Sequence, residues 1–184
     1  MRLFFALWPD ARTRVHIADA VAVLRLDSDA RRVAAENFHM TLAFVGEVID
    51  SKLAVARQIG CDLRAAACEI RLDAIEYWRE SQVVVAAATE TPAALLDLWR
   101  RLHRELALHP GDLQRYRPPA TLCAHVTLAR KVSQAPVLQA MSPFAWSARS
   151  FSLVRSDTGG AHSVYTVVDT WPLLDKRQKS WQSL

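Results

Sequence analysis

The unit His-x-Thr-Leu occurs twice in this chain, as His39-Met40-Thr41-Leu42 within "ENFHMTLAFVGEV" and as His125-Val126-Thr127-Leu128 within "AHVTLAR". From the chain's own content of His, Thr and Leu, chance supplies roughly 0.04 such matches, so the repetition carries information. Imidazole titrates at about 6.5, and two of them in one site can act near neutral pH as a base and an acid together. Phosphodiester hydrolysis needs both roles. A base takes a proton from the attacking water, an acid protonates the departing oxygen, and in-line geometry puts them on opposite sides of phosphorus. A Thr two residues beyond each His points the same way on a strand, where its hydroxyl can donate to a non-bridging phosphate oxygen.

Neither unit carries Asp or Glu on its His/Thr face; Glu36 and Glu47 flank the first strand at its ends. The pattern therefore does not compose a dinuclear metal centre, and no metal or other cofactor is expected. A metal-free acid–base pair suits a strained diester with an internal leaving group, such as a ribose 2′,3′-cyclic phosphate, better than an unactivated monoester. Two rival readings use the same residues. One is a non-catalytic nucleotide- or RNA-binding module, against which both intact units count, because binding alone needs no acid–base pair. The other is a metal-dependent hydrolase with His39 and His125 as ligands, which a chelator would silence. A histidine-triad hydrolase is excluded, since no His-x-His occurs.

The elements that must position these units can be read from hydrophobic period. "RLFFALW", residues 2 to 8, reads as a buried strand stopped by Pro9-Asp10, and a helix follows with Val15, Ala18, Val21, Ala22 and Leu24 facing inward and Pro9 in its first turn. A polar link through "DSDARRVAAEN" leads to a strand over 39–45, with His39, Thr41, Ala43 and Val45 on one face and Met40, Leu42 and Phe44 on the other. Residues 50–68 read as a helix, 69–77 and 82–88 as strands, and a strong helix begins at Thr91-Pro92 with Leu95, Leu98, Trp99, Leu102 and Leu106 inward. Residues 109–120 form a Pro/Gly loop, and the second unit follows as a strand with His125, Thr127 and Ala129 on one face. Strands near 146–156 and 163–169 flank the turn signal Asp157-Thr158-Gly159-Gly160. The two halves thus repeat one order: strand, helix, polar loop, strand with His-x-Thr-Leu. With helices on the apolar faces, the two His/Thr faces would meet across one groove.

A length of 184 residues with 51% hydrophobic content suits a single domain, 1–184, folding alone as a monomer. No run approaches the roughly 18 apolar residues of a membrane span, and the start lacks a signal peptide's apolar region, so a soluble cytoplasmic protein with no membrane partner is expected. Cys61, Cys68 and Cys123 form no CxxC pair and read as reduced, mostly buried thiols. The net charge of +4 rests on Arg, whose planar fork suits phosphate. "DARR" and "KRQK" read as solvated charge clusters, His16, His103, His109 and His162 as surface histidines, and Trp8 and Tyr165 as packing in the core or cleft wall.

Together these residues carry a resemblance. "ENFHMTLAFVGEV", "HVTLAR", the opening "RLFFALWPD" and the closing "FSLVRSDTGGAHSVYTVVDTWPL" resemble the RNA 2′,3′-cyclic phosphodiesterases (LigT-like, 2′-5′ RNA ligase-like proteins) of the two-histidine phosphoesterase superfamily, over about Arg2 to Leu173. The resemblance implies an α+β fold of two intertwined, pseudo-symmetric lobes, each mostly antiparallel sheet with helices on the outer faces, around a central cleft. It implies metal-free opening of a 2′,3′-cyclic phosphate on RNA or a nucleotide to leave a 2′-phosphate. By position, His39 would be the acid that protonates the leaving 3′ oxygen and His125 the base that activates water; Thr41 and Thr127 would grip the phosphate, and Arg130 would be a cation on the phosphate or substrate side. The family also joins RNA ends by a 2′-5′ linkage, the same chemistry run backwards. This chain departs from the family in one place: Thr121-Leu122-Cys123-Ala124 stands where relatives have an aromatic and a Pro before the second His, with Pro118-Pro119 upstream.

Overall fold

The computed structural model describes residues 2–109, 119–138, 140–157 and 164–175. In chain order it contains β1 (Arg2–Leu7), α1 (Ala11–Ala22), β2 (Arg31–Arg32), β3 (Met40–Glu47), α2 (Asp50–Asp62), β4 (Cys68–Leu72), β5 (Ala74–Trp78), β6 (Val83–Ala87), α3 (Ala93–Ala107), β7 (His125–Arg130), β8 (Phe144–Ala148), β9 (Ser150–Asp157) and β10 (Val164–Pro172). These make an α+β fold with antiparallel sheets ordered β10-β9-β1-β3 and β2-β7-β6-β5, and a separate β4-β8 pair. The duplication is visible in the pairing. β9-β1-β3 in one sheet corresponds to β5-β6-β7 in the other, with α1 following β1 and α3 following β6.

One core joins the two sheets. Leu3, Phe5 and Leu7 of β1, Val84 and Ala86 of β6, and Leu95, Leu98, Leu102 and Leu106 of α3 belong to a single buried cluster. The helices cross between halves: α1 lies against β7 and β8, α3 against β3 and β4, while α2 covers β9 and β10. Each strand that carries a His-x-Thr-Leu unit is thus backed by a helix from the other half, which makes the lobes interdependent for folding.

The α3 stripe is buried as its spacing predicts, although Pro92 is the N-cap and no side chain caps the helix. In α1 the Asp10 carboxylate accepts from Thr13 N at 2.7 Å and sets the helix start, leaving Pro9 outside it. Its buried face is Thr13, Ile17, Ala20 and Val21. Val15, expected inward, is exposed, because the cap and Ile17 fix a phase that turns it away. The helix expected over 50–68 ends at Asp62, where Leu63 becomes extended and Ala66 bridges to Leu174. The run 69–77 breaks at Asp73, whose carboxylate accepts from the backbone N–H and hydroxyl of Thr89, and its two pieces enter different sheets. Likewise 146–156 divides at Arg149 into β8 and β9. The polar link 27–37 contains β2 and a short 3₁₀ turn over Ala35–Asn37. Most of the loop 109–120, the turn residues Thr158–Gly160, His162 and "KRQK" lie outside the described residues.

The thiols depart from expectation. Cys61 and Cys123 are exposed and only Cys68 is half-buried, where burial pushes its thiol up to about 11. Cys61 lies on α2, where the ring of Trp171 from β10 packs against the neighbouring Gly60 and donates its indole N–H to the Cys61 sulfur at 3.3 Å.

Candidate active site

β3 and β7 carry the two His-x-Thr-Leu units, and both strands are irregular at the same place. Along β1–β3 the register passes from Phe5↔Ala43 to Ala6↔Thr41, so Leu42 has no opposite partner. Along β6–β7 it passes from Val84↔Ala129 to Val85↔Thr127, which leaves Leu128 in the same position. Each Leu is therefore the extra residue of a β-bulge. A bulge resets the alternation of side chains. Met40 and Leu42 are buried with Thr41 turned to the opposite face, but beyond the bulge Ala43 and Val45 are buried and Phe44 is 70% exposed. Ala43 and Val45, expected beside Thr41, point into the core instead, and Phe44 takes the cleft face. Ala129, expected beside Thr127, is buried for the same reason.

The two imidazoles are held alike. His39 Nδ1 lies 2.7 Å from the Asn37 carbonyl oxygen, and His125 Nδ1 lies 2.7 Å from that of Cys123. A carbonyl can only accept, so Nδ1 carries the proton in both rings and Nε2 is left to exchange protons with a ligand. Aromatic walls fix the rings further. His39 stacks on Trp8 at 5.3 Å and 11°, meets Tyr165 edge-on at 5.1 Å, and touches Phe4. His125 packs on Trp78 at 4.5 Å, whose indole N–H donates to Glu76. Behind these rings lie two small apolar clusters separate from the main core, Phe4, Ala6 and Val154 on one sheet and Val83, Val85 and Ala87 on the other. They are the cleft faces of the two sheets. Trp8 and Tyr165 are cleft wall, as the sequence predicts.

Burial pushes His39 down to about 4, with Arg130 and His125 lowering it further and the Asn37 carbonyl opposing. His125 is also lowered, first by burial, against its bond to Cys123; Arg130 lowers it and Glu76 raises it. Both rings are therefore neutral at pH 7 in the free protein. The expected pairing of one neutral and one protonated imidazole does not follow from these shifts alone; an anion beside the rings would raise both. Arg130 and the two histidines are close enough to feel one another's charge. A cleft of about 730 Å³ is lined by His39, Thr127 and Arg130 together with Arg31, Arg32 and Lys131. Thr41 and His125 are half-buried and not among its lining residues.

Four residues have roles that their place in the sequence did not announce. "DARR" is exposed as expected, but it also carries structure: Arg31 and Arg32 form β2 and line the cleft, and Arg32 donates to the Leu24 carbonyl at 2.7 Å just past the end of α1. Trp78, between the strands expected over 69–77 and 82–88, ends β5 and packs on His125. His103 is buried, with Nε2 3.0 Å from the carbonyl of the bulged Leu42; its i+4 spacing from Trp99 on the apolar stripe was the available signal. Of the other histidines, His16 is exposed and stacks on Phe144, and His109 is half-buried against the Glu105 carbonyl.

A family model described as the 2′-5′ RNA ligase superfamily matches residues 10–160. The chain belongs to that superfamily. Within it, the chain is 32% identical over 174 residues to an Escherichia coli (strain K12) protein named RNA 2′,3′-cyclic phosphodiesterase, covering 94% of this chain and 96% of the relative. A Thermus thermophilus relative of the same name is 27% identical over 188 residues, covering 94% and 90%. The crystal structure of Escherichia coli LigT complexed with 3′-AMP superposes with a TM-score of 0.82 at 28% identity, covering 94% of this chain and 97% of that one. Among the described residues of this superfamily member, no three His, Cys, Asp or Glu side chains gather as a metal site, and no helix is long and apolar enough to cross a membrane.

Proposed function

We propose that this protein hydrolyses RNA 2′,3′-cyclic phosphate ends to 2′-phosphomonoesters by a two-histidine acid–base mechanism. The observation that carries the reading is the duplicated imidazole: two rings, each pinned through Nδ1 to the carbonyl two residues before it, so that Nε2 is left for a ligand, and each followed two residues on by a Thr. The names of the relatives support the substrate. His125 takes a proton from water as its oxygen bonds to phosphorus, the P–O3′ bond breaks, and His39 gives its proton to O3′. The turnover consumes one water, and the proton gained by His125 returns through solvent to His39. Thr41 and Thr127 donate to the non-bridging oxygens, and Arg130 offsets their charge. The same anion raises the two imidazoles and so favours the protonated His39 that burial alone disfavours. An RNA 5′-hydroxyl in place of water would give a 2′-5′ linkage by the same steps.

The deciding experiment compares a 2′,3′-cyclic nucleotide with its analogue carrying sulfur at the 3′ bridging position, both in EDTA, with products resolved as 2′- or 3′-phosphate. A thiolate leaves without a proton, so His39→Ala should lose about 10²–10⁴ in rate on the oxygen substrate and little on the sulfur one, while His125→Ala loses on both. A 3′-phosphate product, loss of activity in EDTA, or a wild-type rate in either variant would sink the mechanism. Tight nucleotide binding without turnover would favour a binding module.

A further inference from the structure

β5 is the edge strand of the sheet β2-β7-β6-β5, and Trp78 is its last residue. The Trp78 backbone stands opposite Val83 of β6, which stands opposite Arg130 of β7, whereas His125 lies at the other end of β7 opposite Ala87. The two backbones are thus two strands apart and at opposite ends of the ladder. Their rings nevertheless meet, with centroids 4.5 Å apart. The indole must run diagonally back across the cleft face of β6.

Two observations show what holds it there. Glu76 is on the same face two residues before Trp78, level with Val85 and Thr127 and so one step nearer the His125 end. Its carboxylate accepts the indole N–H at 2.8 Å, a charge-assisted hydrogen bond that draws the ring toward His125. Beneath the ring, Val83, Val85 and Ala87 are buried, and the partly buried apolar residues packed against them are Ala74 and Trp78. Ala74 brings one methyl group, so the indole supplies most of the cover.

The imidazoles are pinned alike through Nδ1, but one hydrogen bond tolerates a range of ring tilts, and the outer torsion of a His side chain is broad. For His39 the plane is set by Trp8, Tyr165 and Phe4. Among the described residues, Trp78 is the one aromatic ring against His125.

We propose that Trp78 is the positioning residue of the general base: its indole fixes the plane of the His125 imidazole and so aims Nε2 at the attacking water. This rests on the two-histidine reading and deepens it. Trp78 itself touches neither the water nor the phosphate; it acts through His125.

The test uses Trp78→Leu, which still covers β6 with an apolar side chain but is too short to reach His125, with urea unfolding to confirm the fold. On adenosine 2′,3′-cyclic phosphate, kcat should fall about ten- to hundred-fold, the size of effect that misplacing a catalytic group produces. KM should change less than about two-fold, because the lost interaction is not with substrate. The loss should be equal on the analogue with sulfur at the 3′ bridging position, since both substrates need the base. In the His125→Ala background the same substitution should cost nothing further. Trp78→Phe, a shorter ring without the N–H that Glu76 holds, should show the same pattern at smaller size. An undiminished loss in the His125→Ala background, a raised KM at unchanged kcat, or a loss confined to the oxygen substrate would overturn the proposal and leave the two-histidine reading standing. A wild-type rate in His125→Ala itself would overturn both.

Discussion

Acid–base catalysis by two half-buried imidazoles has a particular signature in pH. The rate constant kcat/KM reports ionisations of the free protein, and kcat those of the complex. With His39 driven down to about 4, only about one free molecule in a thousand carries the proton His39 must give at pH 7. For an acid of ordinary imidazole pKa, the protonated fraction falls only about four-fold between pH 5 and pH 7. Here the protonated fraction of His39 falls about ninety-fold over that interval, and kcat/KM should fall steeply with it, offset only by the deprotonation of His125, which is itself lowered. The apparent values belong to the pair. In the complex the phosphate anion raises both rings, so kcat should hold its plateau to higher pH than kcat/KM. Initial rates on a cyclic nucleotide from pH 4 to 9, at saturating and at limiting substrate, measure both profiles. A kcat/KM that is flat or rising from pH 5 to 7 would refute the argument that burial sets the free-protein ionisation. Superimposed kcat and kcat/KM limbs would refute the argument that substrate restores it.

Two substitutions probe the supports of this site. Arg130 lowers both imidazoles, so Arg130→Gln should move the alkaline limb of kcat/KM to higher pH while raising KM, a combination that loss of a merely structural residue would not produce. His103 donates to the Leu42 carbonyl inside the core, so His103→Leu leaves that oxygen buried without its partner and should cost about 1–3 kcal/mol in urea unfolding, with His103→Gln recovering part of it.

The candidate site stands out in the sequence because chemistry fixes residue type: two imidazoles with two hydroxyls at i+2 can be found in a string of letters. The fold around it was legible where one period dominates, as in the α3 stripe or in β1. The sequence reading failed where a single interaction overrides the period. The Asp10 cap turns Val15 outward, and the Asp73 carboxylate, committed to Thr89, splits a nine-residue β pattern into strands of two sheets. Nothing in "DARR" announces β2, because a two-residue strand has no period; its existence depends on β7 offering an edge from a hundred residues away.

The bulges explain why the duplicated unit has four letters and not three. A bulged residue leaves the ladder, so its carbonyl must be satisfied from elsewhere. In one half the Leu42 carbonyl accepts from His103 of α3; in the other the Leu128 carbonyl accepts from the backbone of Val33, just past β2. Leu at that position is buried in both strands, and its burial holds the bulge while the preceding Thr and His stay turned to the cleft. The duplication therefore preserves the shape of the catalytic strand and leaves each half free to satisfy that shape with different atoms. That freedom accounts for the asymmetry between the lobes: the half that uses β2 to satisfy its bulge also acquires Arg31 at the cleft, and the half that uses a helix histidine does not.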